Sequence, residues 1–230
     1  MKNKVPLYAI IPCLNRHGML SDLLNSIDFD PDYVVIVDTG SSPKLEVLFS
    51  GNATILNEPL ESERNVQKWF NLALNKIDEL ALERSEKEYD VAVLNSDLIV
   101  EKQVLLQLQA ALRFSDSIIS HPDYSGELGA GEVSVNKTIG PVSARYRMTG
   151  CCFVLRGDSG IRFDEEFQWW FGDDDIEWRA RVLGGVARVG KLEFIHLDPS
   201  GSMRDMPELN EKARQDQDLF ISKWGSLPLC

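Results

Sequence analysis

Hydrophobic positions along this chain switch repeatedly between short continuous runs and helical stripes. Leu7-Tyr-Ala-Ile-Ile11 is an apolar run stopped by Pro12, the pattern of a buried strand. Over 17–27, Met19, Leu20, Leu23, Leu24 and Ile27 recur at helical spacing. Residues 33–37 form a second apolar run, closed by the loop signal Asp38-Thr-Gly-Ser-Ser42, and 53–56 predicts a third strand. A helix is predicted from Ser62 to about Ala81. It carries Val66, Trp69, Phe70, Ala73, Leu74, Ile77 and Leu80 on one face, and Ser62-Glu63 supplies a start. Residues 90–94 read as a fourth strand ending in Asn95-Ser96-Asp97, followed by a helix over 104–114 and a strand over 117–120. The Gly-, Ser- and Asn-rich stretch 122–147 predicts an irregular excursion or hairpin. Beyond it come a strand over 148–155, an aromatic and acidic stretch over 163–171 and a helix over 173–183. Short strands over 186–189 and 192–195 and an apolar helical turn over 219–224 complete the pattern.

Strands alternating with helices predict an α/β domain with a mostly parallel sheet covered on both faces. No repeat or linker interrupts 1–230, which predicts one domain. Ligands of such sheets bind at the carboxyl ends of the strands, and Asp38 and Asp97 both occupy that position. The net charge of −12 repels nucleic acid and anionic membranes at long range. A nucleotide remains compatible with that charge, because a divalent cation can offset its phosphates locally. No apolar run is long enough to span a membrane. The first apolar run is too short for a signal-peptide core, so the expectation is a cytoplasmic protein. Cys13, Cys151, Cys152 and Cys230 form no Cys-x-x-Cys pair and read as buried thiols rather than a zinc site.

Three constellations carry candidate chemistry. Asp97 at a strand end can ligate a hard cation that bridges two phosphates, or more plainly cap the helix that follows. His196 also ends a strand; imidazole suits Mn²⁺ better than Ca²⁺, and a structural histidine is the plainer reading. Gly172-Asp173-Asp174-Asp175-Ile-Glu177 is the densest acidic cluster. Three adjacent carboxylates need a helix dipole, a metal or a cation to offset their repulsion, unless they form a solvated first helical turn. Trp169 and Trp170 just before them argue for a sugar platform, with a carboxylate as general base toward a hydroxyl.

These pieces occur in a familiar order. Ala9-Ile-Ile-Pro-Cys-Leu-Asn-Arg16 resembles the opening strand and loop of family 2 glycosyltransferases, V-I-I-P-T-Y-N-R. Val34-Val-Ile-Val-Asp38-Thr-Gly-Ser-Ser42 is similar to their V-V-D-N-G-S, and Phe70-Asn-Leu-Ala-Leu74 more loosely to R-N-x-G-x. Val93-Leu-Asn-Ser-Asp97 resembles the metal-binding D-x-D strand end with Asn95 in the first place, and Thr149 to Arg156 their T-G-x-x-x-x-x-R. Phe163-Asp-Glu-Glu-Phe followed by Gly172 to Arg179 is similar to F-D-E-x-F and E-D-x-D-L-x-x-R, with Gly172 in place of Glu. Phe220-Ile-Ser-Lys-Trp-Gly225 resembles the closing F-x-x-K-W-G of bacterial rhamnosyl- and galactofuranosyltransferase-like members.

The resemblance implies a GT-A fold, with 1–120 binding the nucleotide sugar and 121–230 supplying acceptor and catalytic groups. It implies a nucleoside-diphosphate sugar donor, most commonly UDP-linked, Mn²⁺ or Mg²⁺, and inversion at the anomeric carbon. Pro12, Asn15, Arg16, Asp38, Asn95 and Ser96 would meet the donor, Asp38 at the base or ribose. Asp97 and His196 would hold the metal, and Asp173 would deprotonate the acceptor hydroxyl. Trp169, Trp170, Asp174 and Asp175 are expected on the acceptor side, with a solvent-facing Asp174 as the alternative. The acceptor is a glycan or another hydroxyl-bearing molecule; the charge disfavours nucleic acid and leaves a modified base open. A nucleotidyltransferase would want glycines after the first strand, which Pro12-Cys-Leu-Asn-Arg16 lacks. A non-catalytic nucleotide-sugar-binding protein is the other alternative, kept open by Asn95 and Gly172.

Overall fold

The computed structural model describes residues 5–30, 33–45, 53–59, 64–199, 204 and 206–228. Their strands are β1 (Leu7–Cys13), β2 (Val34–Asp38), β3 (Thr54–Asn57), β4 (Asp90–Leu94), β5 (Leu98–Ile99), β6 (Ile119–Pro122), β7 (Val133–Asn136), β8 (Cys152–Arg156), β9 (Val186–Val189) and β10 (Ile195–His196). The longer helices are α1 (His17–Ile27), α2 (Val66–Glu83), α3 (Lys102–Phe114), α4 (Gly172–Leu183) and α5 (Leu209–Trp224). One eight-stranded sheet runs β3-β2-β1-β4-β8-β6-β9-β7, and β5 and β10 form a separate ribbon.

The continuous apolar runs are explained by burial on both faces. In β1, Ala9 and Ile11 point to one face and Tyr8 and Ile10 to the other, all at 0% exposure. The first face packs against Leu20, Leu23 and Ile27 of α1 and Leu105, Leu108 and Leu112 of α3. The second packs against Trp69, Phe70, Ala73, Leu74 and Ile77 of α2 and Ile176 and Ala180 of α4. Helices therefore cover both faces of the sheet, as the alternating pattern predicts.

The sheet is parallel through β3, β2, β1 and β4, and between β6 and β9. It departs from parallel at β8, which runs against both β4 and β6, and at β7, which runs against β9. The reversal at β8 brings the amino end of that strand to the carboxyl end of β4: Leu94 pairs with Cys152, and Asn95 N donates to Cys151 O at 2.9 Å.

Several boundaries differ from the sequence expectation. Pro12 does not stop β1, which continues to Cys13. Past Ile10 only β2 flanks it, so a residue without an N–H is tolerated there. In α2, Asn65 Oδ1 accepts from Lys68 N at 2.9 Å and caps the helix, while Ser62-Glu63 lies outside the described residues. Residues 148–151 form the loop before β8 rather than the start of the strand, and the predicted strand over 192–195 begins only at Ile195. The excursion 122–147 contains β7, which pairs with β9 instead of closing a local hairpin. The apolar turn at 219–224 is the end of the 16-residue α5. Among the described residues no helix is long and apolar enough to cross a membrane. Cys13, Cys151 and Cys152 are buried free thiols, and Cys230 lies outside the described residues.

Candidate active site

A cleft of about 940 Å³ opens at the carboxyl ends of β1 and β4. It is bounded by the amino end of β8, the first turns of α2 and α4, and the β5–β10 ribbon. The ribbon sets the first pair of groups. His196 pairs with Leu98, and Leu197 N donates to Asp97 O at 2.8 Å, so the two side chains emerge together. His196 Nε2 lies 3.2 Å from Asp97 Oδ1. Asp97 Oδ2 is bonded to the Arg16 guanidinium, whose other nitrogen is 3.6 Å from Asp198. Helix α3 begins five residues later with Glu101 as its cap residue, so Asp97 caps nothing and faces the cleft.

The hydrogen bond to Asp97, with the Cys151 thiol beside it, raises His196 to about 9. The imidazole is therefore a cation at neutral pH until something displaces its proton. Among the described residues no three or more His, Cys, Asp or Glu side chains converge as a metal set. Asp97 and His196 would supply one carboxylate and one imidazole to a metal placed here. That mixed oxygen and nitrogen pair suits Mn²⁺ better than Mg²⁺, which prefers oxygen ligands alone, with the remaining positions filled by ligand oxygens and water.

Pro12, Asn15, Arg16, Asn95 and Ser96 all line this part of the cleft, with Arg64 and Thr39. Asn15 has a left-handed backbone, φ 56°, and its Oδ1 accepts from Ser42 N at 2.7 Å, which pins the first loop to the second. Asp38 is placed differently from expectation. Its carboxylate is 1% exposed and spent on its own loop, accepting from Ser41 N at 2.8 Å and Leu45 N at 3.0 Å.

The opposite wall is built on the start of α4. Gly150 leaves room for Asp173: a Cβ there would lie 2.7 Å from Asp173 Oδ2. Burial pushes Asp173 up, while the Arg147 cation and the backbone N–H groups of Asp174, Asp173 and Gly150 favour its charged form. Asp174 does not face solvent. It is 4% exposed, and Arg147 grips it through Nε at 2.9 Å and Nη2 at 2.6 Å. Burial and the Asp173 charge push Asp174 up, and the Arg147 pair pulls against them. Asp175 leaves the cleft altogether. At 0% exposure it is held by Arg179 Nε at 2.8 Å, Lys223 Nζ at 2.8 Å and Trp224 Nε1 at 3.0 Å, which ties α4 to α5. It is not among the residues that line the cleft, where the sequence reading expected it.

Trp169 and Trp170 both line the cleft, Trp170 with 49% exposure. Trp169 packs edge-on against Trp69 with ring centres 6.3 Å apart. The aromatic and acidic stretch around them gives no sign of their support. Asp216 of α5 accepts from Gln168 N at 2.9 Å, Trp169 N at 2.7 Å and Trp170 N at 2.8 Å. Phe171 then adopts a left-handed backbone, φ 61°, unusual for an aromatic residue, and turns the chain into α4.

Sequence reasoning missed Arg147, Asp216 and Gln67. The need for a cation near three aspartates was legible, but nothing in the spacing named Arg147. Asp216 sits on a polar stretch, and its 2% exposure and three backbone hydrogen bonds are visible only in the structure.

No family model matches this chain, and no curated protein sequence matches it. Solved structures do. A crystal structure of S. aureus TarS 1–349 matches at TM-score 0.57 and 19% identity, over 90% of this chain and 65% of that one. TarS 1–349 in complex with UDP-GlcNAc matches at TM-score 0.54 and 19% identity, over 85% of this chain and 61% of that chain. GalNAc-T7 with UDP, GalNAc and Mn²⁺ matches at TM-score 0.53 and 15% identity, over 83% and 44%. This chain thus spans less than two thirds of the length of these structures. With its eight-stranded mixed sheet, helices on both faces and cleft at the strand ends, the chain has the fold of the GT-A glycosyltransferases.

Proposed function

We propose that this protein is a metal-dependent inverting glycosyltransferase that moves a sugar from a nucleoside-diphosphate sugar, UDP-linked, to an acceptor hydroxyl. The observation that carries the reading is the placement of Asp173. Its carboxylate opens α4 and faces the same cleft as the Asp97–His196 pair and the two tryptophans. One wall thus offers a base and the other a site for a diphosphate, with room for a sugar between. TarS and GalNAc-T7, structures of the same fold, were solved with UDP, UDP-GlcNAc or UDP with Mn²⁺, which supports the donor class.

In this reading the first half of the chain, 1–120, holds the nucleotide through the loops after β1 and β2, and 121–230 supplies the acceptor wall. Arg16 and Arg64 bring positive charge to the donor end of a chain whose net charge is −12. A divalent cation held by Asp97 and His196 would stabilise charge on the departing diphosphate. Asp97 orients His196 and Arg16 through its two oxygens. Trp169 and Trp170 stack the acceptor ring and shield the reacting atoms from water. The Asp173 carboxylate takes the acceptor proton as the hydroxyl oxygen attacks the anomeric carbon opposite the leaving diphosphate. Single displacement inverts that carbon. Positioned base catalysis of this kind contributes about 10²–10⁴-fold.

The test is Asp173→Asn, which keeps shape and removes the base. UDP binding should persist by calorimetry, while transfer from a UDP-sugar panel falls by about 10² or more. Transfer at the wild-type rate would overturn the role of Asp173. A wild-type protein that binds UDP and turns over no donor would overturn the enzyme reading.

A further inference from the structure

Gln67, in the first turn of α2, is a polar side chain with a vacancy. It is 3% exposed, its Oε1 is buried without a hydrogen-bond partner, and it lies in the wall of the cleft. Most buried side-chain oxygens are satisfied, and each exception asks for a cause. A second observation supplies one. The amide lies flat on the backbone of Gly172, so that a Cβ at 172 would sit 2.1 Å from Gln67 Cδ, 2.2 Å from Nε2 and 2.5 Å from Oε1. Gly172 is not among the residues of positive φ, so its backbone does not require glycine. Its missing side chain is what admits Gln67 to a position one residue from Asp173.

Core packing does not explain this arrangement. A leucine or methionine would fill the same volume without burying an unpaired carbonyl. Trp69, Phe70 and Trp169 line the same wall. Aromatic faces, a carboxylate and a free carboxamide together match a sugar ring, whose faces are apolar and whose edge is hydroxyl. A hydroxyl both donates and accepts, so it serves either end of the amide.

We propose that Gln67 reads a hydroxyl of the acceptor saccharide bound beside Asp173, and that Gly172 exists to make room for it. This rests on the glycosyltransferase reading above and adds that the acceptor is itself a sugar.

The test uses the full chain with saturating UDP and Mn²⁺. A panel of methyl glycosides (glucose, galactose, N-acetylglucosamine, N-acetylgalactosamine, rhamnose) and their monodeoxy forms is titrated by saturation-transfer NMR. Gln67→Met removes the amide with little change in volume. The best-bound glycoside should weaken about tenfold in Gln67→Met, the loss expected for one hydrogen bond. One monodeoxy form should bind wild type and variant equally. UDP affinity should not change. Because the variant removes an unpaired buried group, its melting temperature should stay level or rise, whereas a structural glutamine would lower it. Gly172→Ala, which forces the amide aside, should reproduce the tenfold loss. Equal glycoside binding by wild type and Gln67→Met, or no glycoside binding by wild type, overturns the proposal. If UDP binding and donor turnover persist in either case, only the role of Gln67 falls; if UDP does not bind, the glycosyltransferase reading falls with it.

Discussion

Arg147 holds Asp174 with two charge-assisted hydrogen bonds, of 2.9 and 2.6 Å, one residue beyond the proposed base Asp173. The pair answers how three consecutive aspartates can open a helix next to a largely apolar wall. Asp174 is paired with Arg147 at the cleft wall, Asp175 with Arg179 and Lys223 away from the cleft, and Asp173 lines the cleft beside the first pair. Arg147→Met should destabilise the protein by roughly 3 kcal/mol, the low end for a broken buried pair because the arginine is partly solvated. It should also remove the cation that favours ionised Asp173, moving the acid limb of the rate profile to higher pH. Chemical denaturation and a pH–rate series check the two effects separately.

The metal pair gives a second prediction. Asp97→Ala should abolish the effect of Mn²⁺ on UDP affinity and leave the fold intact, because Asp97 makes no helix cap and borders the cleft. Calorimetric titration of UDP with and without Mn²⁺ reads this directly. A variant whose UDP affinity still rises with Mn²⁺ would move the metal elsewhere.

The two tryptophans should separate. Trp170→Ala, at an exposed position, should change stability by about 0.5 kcal/mol or less and weaken acceptor binding with UDP affinity unchanged. Trp169→Ala should cost more stability, because its ring packs on Trp69. Equal acceptor binding by wild type and Trp170→Ala would show that the ring is not part of the platform.

Asp216 should behave as a positioning residue. Asp216→Asn replaces one accepting oxygen by a donor that faces the N–H groups of Gln168, Trp169 and Trp170. A loss of about 2 kcal/mol is expected for disrupting a charged acceptor. The acceptor KM should rise while UDP affinity holds; a change in UDP affinity instead would mean that the turn does more than carry the tryptophans.

His121 gives the acid limit of stability. Burial lowers it from 6.5 to about 4, and its Nδ1 lies 2.8 Å from Pro122 O, the neutral form donating. The unfolded chain therefore binds this proton first as pH falls. The contribution of His121 is complete above its unfolded value of 6.5 and drains away as pH falls toward about 4. The full span is roughly 3 kcal/mol. His121→Gln should be less stable at neutral pH, and its stability should vary less between these limits than that of wild type.

Much of this was legible in the chain. Runs such as Val34–Asp38 are buried on both faces, so their apolar character survives at every position and the strands stand out. The amphipathic α1 and α2 stand out because each buries a single stripe of apolar residues against the sheet. Helix α5 was legible only at its end, because its buried positions Leu209, Ala213, Asp216 and Phe220 include a carboxylate in the middle of the stripe. The acidic cluster opens a helix, as its pattern predicts, but the contacts of its members were not legible. Whether an aspartate faces a cleft or a partner helix depends on residues such as Arg147 and Trp224, which lie far off in sequence. Asp38 likewise occupies the expected strand end, yet its contacts are internal, a distinction that local pattern cannot carry.

The reversed β8 has one more consequence. It joins β4 to β6, and so the earlier strands of the sheet to the later ones, and the cleft lies along that seam. A growing chain that ends before β8 has Asp97 but neither Asp173 nor His196, so it has no competent pocket to occupy. On the proposed function, donor capture would then be a checkpoint on completed folding. Ligand at one hundred times its Kd would favour the finished protein by about 2.7 kcal/mol and leave earlier intermediates unaided.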